Sequence, residues 1–182
     1  MQHDIRLDWK DLFDVHYELS DNAKLLLLRN IETLGDIEEV CEVIYETESK
    51  DFRENLIERA LNEGLRFSSD HIVELCDVVF PRTAISMIAS LDSSFFSSSD
   101  SVYDLATDLG NEMLCSFLLD RAVDEGSVFT LDQLTELTAN VNQATADKLA
   151  LSYQGELEED DIDELYNLSD DVIDELLDRA RQ

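Results

Sequence analysis

One short pattern recurs six times along the chain and constrains its fold more than any other feature: an apolar residue, any residue, an acid and a second apolar residue. The first copy is Leu12-x-Asp14-Val15, and the acids of the other copies are Glu39, Glu74, Asp104, Glu136 and Glu164. Successive acids lie 25 to 35 residues apart, a spacing typical of helical repeat proteins. In five copies another apolar residue follows four positions later, which puts apolar side chains at i, i+3 and i+7. Each copy therefore predicts an amphipathic helix of about three turns.

A longer match shows that these units repeat in pairs. Residues 59–67 and 121–129 align at a separation of 62 residues with five identities in nine positions. The segment 176–180 aligns in turn with 56–60 and 118–122, which overlap the start of that stretch, and gives a partial third copy. Gly64 and Gly126 occupy matching positions, where a left-handed residue would end a helix. A second short helix is therefore predicted after each first one, and a pair of helical hairpins is the larger repeating unit.

Turn and cap residues favour helices joined by short connections. The chain has only five glycines and one proline, too few for many sheet corners or long loops. Ser68, Ser98, Thr130 and Glu158 stand where four of the first helices would begin, and such residues can bind the free N–H groups of a first turn. We predict an all-α fold, an α-solenoid of six stacked helical hairpins with about twelve helices and a 62-residue double-hairpin super-repeat. The predicted hairpins are 7–31, 33–64, 67–91, 96–126, 129–152 and 157–180, within a single repeat domain that spans 1–182.

The charge of the chain restricts its partners. Forty-three acidic residues stand against thirteen basic ones, which gives a net charge of −30. Residues 1–82 have a net charge of −11 and residues 83–182 one of −19, so the C-terminal part is the more negative. Such a chain is not expected to bind nucleic acid or an anionic membrane directly, because it lacks the basic surface that both require. A basic protein surface is the partner that this charge suits.

Sequence motifs for catalysis are missing. His3, His16 and His71 are the only histidines, and none stands in a motif with a nucleophile. Cys41, Cys76 and Cys115 lack the CxxC spacing of a zinc site, and the repeat places Cys41 and Cys76 in the packing column of His16. The acidic run 160–164 lacks the glycine and the spaced glutamate of a calcium-binding loop. We therefore expect no enzymatic activity, no cofactor and no dedicated metal site.

Targeting signals are missing as well. The first ten residues lack the apolar stretch of a secretory signal, and no apolar run reaches the length of about 18 residues that a membrane span needs. These features predict a soluble, cytoplasmic protein.

The acid of each repeat copy is the remaining candidate for function. It falls about 100° beyond the apolar stripe of its helix, so it should face outward at an equivalent place in every first helix. We call these acids and their neighbours on the same face the acidic ladder, and predict that it binds the partner. Its members are Asp14, Glu39, Glu74, Asp104, Asp108, Glu136, Asp161 and Glu164. Acids also favour helix starts and solubility, which alone would account for one acid per helix. The scarcity of lysine, with only four residues, is not explained in that way.

In composition and size the chain resembles a functional class, the acidic DNA-mimic inhibitors that phages and mobile elements use against restriction and CRISPR nucleases. The resemblance implies a ladder that imitates a nucleic-acid backbone and occupies the basic groove of a DNA-binding protein such as a defence nuclease. It carries over no individual residue. A general protein–protein interaction scaffold, loosely similar to HEAT repeats, is the alternative. Adaptation of an ordinary protein to a salt-rich cell would also produce many acids and few lysines.

Overall fold

The computed structural model describes residues 7–181 and confirms the all-α class. That part of the chain contains twelve α-helices and two short 3-10 turns, at His16–Glu18 and Phe95–Ser97, and its only β-type pairing is an isolated bridge between Leu7 and Ile31. The α-helices are α1 Trp9–Phe13, α2 Asp21–Asn30, α3 Ile37–Glu46, α4 Lys50–Asn62, α5 Ser69–Cys76, α6 Pro81–Ala89, α7 Ser99–Leu109, α8 Glu112–Asp124, α9 Leu131–Ala139, α10 Gln143–Ser152, α11 Glu159–Asp163 and α12 Asp170–Ala180. Each of the six predicted hairpin ranges contains two of them. None of the described helices is long and apolar enough to cross a lipid bilayer.

The described chain forms two compact units, one that ends at Leu91 and one that begins at Asp92. In the first unit α3 packs on α4 and α5 on α6, and the second helices of the hairpins, α2, α4 and α6, lie side by side. In the second unit α7 packs on α8, α9 on α10 and α11 on α12, while α8, α10 and α12 form the corresponding row. One continuous solenoid and a single domain stay predictions.

Most of the predicted apolar stripe forms the core of both units, although Val15, Leu19, Ile37 and Leu168 are only half-buried. Leu12, Val40, Ile44, Ile72, Leu75, Val79, Val102, Leu105, Leu109, Leu134, Leu137, Val141, Ile162 and Leu165 are all buried. The cap predictions hold at three of the four positions, whereas Glu158 stands at the N-cap of α11 without a side-chain cap hydrogen bond. Ser68, Ser98 and Thr130 accept hydrogen bonds from backbone N–H groups three residues on, at 3.2, 3.2 and 3.3 Å. Gly64 and Gly126 adopt φ angles of 86° and 88°, which lets the second helices α4 and α8 end in a left-handed turn.

Within each unit, side chains of second helices link some hairpins to the next one along the chain. In three places such a side chain accepts a hydrogen bond from the backbone N–H that precedes the next second helix. The pairs are Glu54 with Phe80, Ser116 with Asn142 and Asp147 with Ser169, at 2.6, 3.0 and 2.8 Å. The first two pairs are 62 residues apart in both members, as the super-repeat predicts. These bonds satisfy N–H groups that a helix start leaves without an intrahelical partner.

The predicted length of about three turns is wrong for two of the first helices. Helices α1 and α11 each have only five residues, so Asp14 and Glu164 lie at helix C-caps and not within helices. After α1 the chain enters a 3-10 turn, in which the buried ring of His16 contacts the Phe13 carbonyl through Nδ1 at 2.6 Å. After α11 Asn167 adopts a φ of 58° and donates to the carbonyls of Thr138 and Val141. Hydrogen bonds made by polar side chains thus take the place of further helical turns.

Candidate functional site

The acidic ladder is distributed over both units. Six of its carboxylates are exposed: Asp14, Glu74, Asp104, Asp108, Glu136 and Glu164. The other two, Glu39 and Asp161, are half-buried within the first turns of α3 and α11. Asp161 accepts a hydrogen bond from the backbone N–H of Glu158 at 2.7 Å, so it also caps its own helix.

The ladder carboxylates lack cationic partners in the part of the chain that the structure describes. Within residues 7–181, none of the eight forms an ion pair. Ion pairs occur elsewhere, for example between Arg59 and Glu63 at 2.6 Å and between Lys148 and Asp124 at 2.8 Å. The charge of the ladder is therefore not neutralised by basic side chains of the described chain.

Several of the scarce cations bind backbone carbonyls inside the units. Arg53 donates to Ile44 and Val78, Arg59 to Leu28 and Ile31, Lys148 to Asp120, and Arg179 to Tyr153. Several of these carbonyls lie at the C-terminal ends of helices, where an intrahelical donor is missing and a positive charge is favoured. Sequence reasoning missed this role. The signal was the recurrence of an arginine at 59, 121 and 179 in the repeat, at matching positions of second helices.

Two ladder residues are held by tyrosines of the preceding first helix. The Tyr45 hydroxyl of α3 donates to Glu74 of α5, and the Tyr103 hydroxyl of α7 donates to Glu136 of α9. Glu74 and Glu136 are 62 residues apart, whereas the two tyrosines differ by one helical turn in the super-repeat register. Each bond restricts the rotation of an exposed carboxylate and leaves its negative charge in place. A carboxylate held in this way loses less conformational freedom when it binds a partner.

The hydrogen bond between Tyr45 and Glu74 is expected to make the free energy of unfolding depend on pH in the alkaline range. Burial raises the pKa of the Tyr45 phenol above its usual 10, and the hydrogen bond to the negative Glu74 raises it further. The folded state therefore keeps a proton that the unfolded state loses above pH 10, and we expect the free energy of unfolding to fall as pH rises from 10 to the raised pKa. An ultraviolet titration of the phenolate, with Tyr45→Phe to assign the signal, should show a lower pKa for Tyr45 in Glu74→Gln. An unchanged pKa would show that Glu74 does not hold this phenol.

Two histidines contact carboxylates, and the cysteines are unpaired by disulfides. His16 is buried, and its Nε2 lies 2.6 Å from Glu46, while His71 lies 3.3 Å from Glu38. His3 lies outside the described residues. The three cysteines are free thiols, and burial raises the pKa of Cys41 to about 12. No group of three or more His, Cys, Asp or Glu side chains within 7–181 is arranged to hold a metal ion. The repeat also aligns Tyr166 with His16, Cys41 and Cys76, which predicts a packing position, but Tyr166 is exposed.

Comparison of the chain with protein-family models, with curated proteins and with solved structures gave no match.

Proposed function

We propose that this chain is a non-catalytic binding protein whose acidic ladder imitates a nucleic-acid backbone and inhibits a DNA-binding protein, such as a CRISPR or restriction nuclease. The observation that carries the proposal is the separation of charges within each unit. Arginine side chains bind helix-end carbonyls, while six of the eight ladder carboxylates are exposed and none of the eight forms an ion pair within residues 7–181. The chain thus presents negative charge of the kind that a phosphate-binding groove is built to receive.

Binding in this mode reverses the usual recognition of phosphate. Lysine and arginine side chains of the partner contact carboxylates in place of phosphate oxygens, and the counterions of both surfaces are released. Complementary charge also speeds association, an effect that salt screens. The contacts of Glu74 and Glu136 with tyrosines support this mode, because they fix the carboxylates before binding.

The second unit is the stronger candidate for the contact surface. Residues 92–182 include 23 acidic and four basic residues, a net charge of −19. Asp104, Asp108 and Glu136 are exposed on two neighbouring helices there, since α7 packs against α9. A cytoplasmic location, where such nucleases act, belongs to the same proposal.

A general protein–protein interaction scaffold is the second candidate. It is favoured by large apolar side chains that are exposed on second helices: Leu26 on α2, Met113 on α8 and Leu151 on α10, with 61%, 48% and 39% of their surface accessible. Single exposed apolar residues are common on monomeric proteins. For that reason we place the ladder first.

Affinity capture distinguishes the two candidates. The chain is immobilised and exposed at low salt to lysates that contain restriction and CRISPR effectors, and bound proteins are then released with either duplex DNA or raised salt. We expect nucleic-acid-binding proteins to be retained and to be released by both treatments. Retention of proteins without nucleic-acid-binding activity, resistant to salt and to DNA, would favour the scaffold and contradict the mimic.

A further inference from the structure

The second unit contains a groove at the C-terminal ends of α7 and α9. Its volume is about 330 Å³, and its lining includes Ala106, Cys115, Glu136, Asn140 and Asn167. Glu112 also lines it, so that the described lining includes two acidic residues and no basic one. Helix C-termini contribute further negative potential to the groove.

The first unit has an arginine at the equivalent place. The guanidinium of Arg53 reaches the C-terminal ends of α3 and α5, where Nε donates to the Ile44 carbonyl at 3.0 Å and Nη1 to the Val78 carbonyl at 3.3 Å. One arginine side chain thereby ties together two successive first helices. Its fork of donors can satisfy both carbonyls at once.

The 62-residue register maps this arrangement onto the groove. Ile44 corresponds to Ala106, Val78 to Asn140 and Arg53 to Cys115. Cys115 is much shorter than arginine. Its thiol donates to the Ala106 carbonyl at 3.1 Å. The Asn140 carbonyl accepts no hydrogen bond from within residues 7–181, although the matching Val78 carbonyl is bound by Arg53.

We propose that this groove binds an arginine side chain of the basic partner. The guanidinium takes the place that Arg53 occupies in the first unit, donates to the Asn140 and Ala106 carbonyls, and lies beside Glu136. The Ala106 oxygen can accept this bond in addition to the thiol, because a carbonyl has two lone pairs. Arginine is favoured over lysine, since two carbonyls and a carboxylate match a planar fork of donors better than a single ammonium. The identity of the partner as a basic protein rests on the proposed function, whereas the chemistry of the groove rests on the repeat.

A swap of side chains tests the groove directly. The probes are a short peptide of arginine and glycine and a peptide of equal length and charge in which lysine replaces arginine, both titrated into the whole chain by calorimetry. We expect the arginine peptide to bind more tightly, and Cys115→Arg to weaken it by about tenfold or more, because the new arginine occupies the groove. Cys115→Ser, which leaves the groove open, is the matched control and should bind like the wild type. Equal affinity of Cys115→Arg and the wild type for the arginine peptide would overturn the proposal, as would equal affinity of the wild type for both peptides.

A second variant covers the case in which Cys115→Arg does not fold. Ala139 is exposed and lines the groove, so Ala139→Trp should obstruct it without a change in the core. It should weaken binding of the arginine peptide to a similar extent, and normal binding by this variant would contradict the groove.

Failure of the proposed function can be distinguished from failure of the groove. If arginine-selective binding is lost in these variants but no nucleic-acid-binding protein is captured from lysates, the groove stands and the mimic does not. If nucleic-acid-binding proteins are captured but the chain does not prefer the arginine peptide, the proposed function stands and the groove proposal is overturned.

Discussion

Replacement of Leu137 by aspartate is expected to unfold the second unit. Leu137 lies in α9 with 1% of its surface accessible, among the apolar residues that α7, α9 and α10 share. An aspartate there would be a buried carboxylate without a partner, and the leucine packing would also be lost. These effects together should lower the free energy of unfolding by about 4 kcal/mol or more. Circular dichroism during thermal and denaturant unfolding measures the change.

Leu151→Asp is the matched control for this prediction. It introduces the same charge in the same unit, but Leu151 is 39% accessible on α10. We expect it to change the free energy of unfolding by only about 0.5 kcal/mol. If Leu137→Asp melted like the wild type, the assignment of Leu137 to the core stripe would be contradicted.

Neutralisation of the ladder in the second unit should have the largest effect on binding. The triple variant Asp104→Asn, Asp108→Asn and Glu136→Gln removes three exposed charges from α7 and α9 and keeps the size of each side chain. If each carboxylate contributes roughly 1 kcal/mol to a charge-complementary interface, affinity for the captured partner should fall about a hundredfold at low salt. Calorimetry or surface-immobilised binding gives the ratio of dissociation constants.

A second triple variant separates the ladder from net charge. Asp171→Asn, Asp174→Asn and Glu175→Gln remove the same number of charges from exposed positions of α12, a second helix of the same unit. Both triple variants are therefore also compared at physiological salt, where we expect this control to bind almost as tightly as the wild type, because attraction between charges weakens beyond a Debye length of about 8 Å. Equal losses in the two variants would show that total charge, and not the ladder, attracts the partner.

Much of the fold could be predicted because the sequence repeats. The apolar spacing placed Leu105, Leu137 and Ile162 in the core, and the match of residues 59–67 with 121–129 located the left-handed Gly64 and Gly126. The short α1 and α11 could not be predicted in this way. Their ends depend on His16 and Asn167, whose side chains bind backbone carbonyls that local periodicity does not reveal.

The candidate site was only partly accessible from the sequence. The charge excess and the positions of the ladder acids are evident in the residues themselves. The sequence does not reveal that Arg53 and Arg59 bind helix-end carbonyls, because their acceptors lie up to 31 residues away in the chain. The groove beside Cys115 became recognisable only when the contacts of Arg53 were mapped across the super-repeat.

The most direct test of the mimic is displacement of DNA. A nucleic-acid-binding protein captured by this chain is loaded with a labelled duplex, and the chain is then titrated in at several salt concentrations. We expect the wild type to displace the duplex, with a midpoint that moves to higher concentration as salt rises, and the ladder triple variant to displace it far less effectively. A stable complex that holds the duplex and this chain together, or displacement that is unaffected by both salt and the triple variant, would contradict the account.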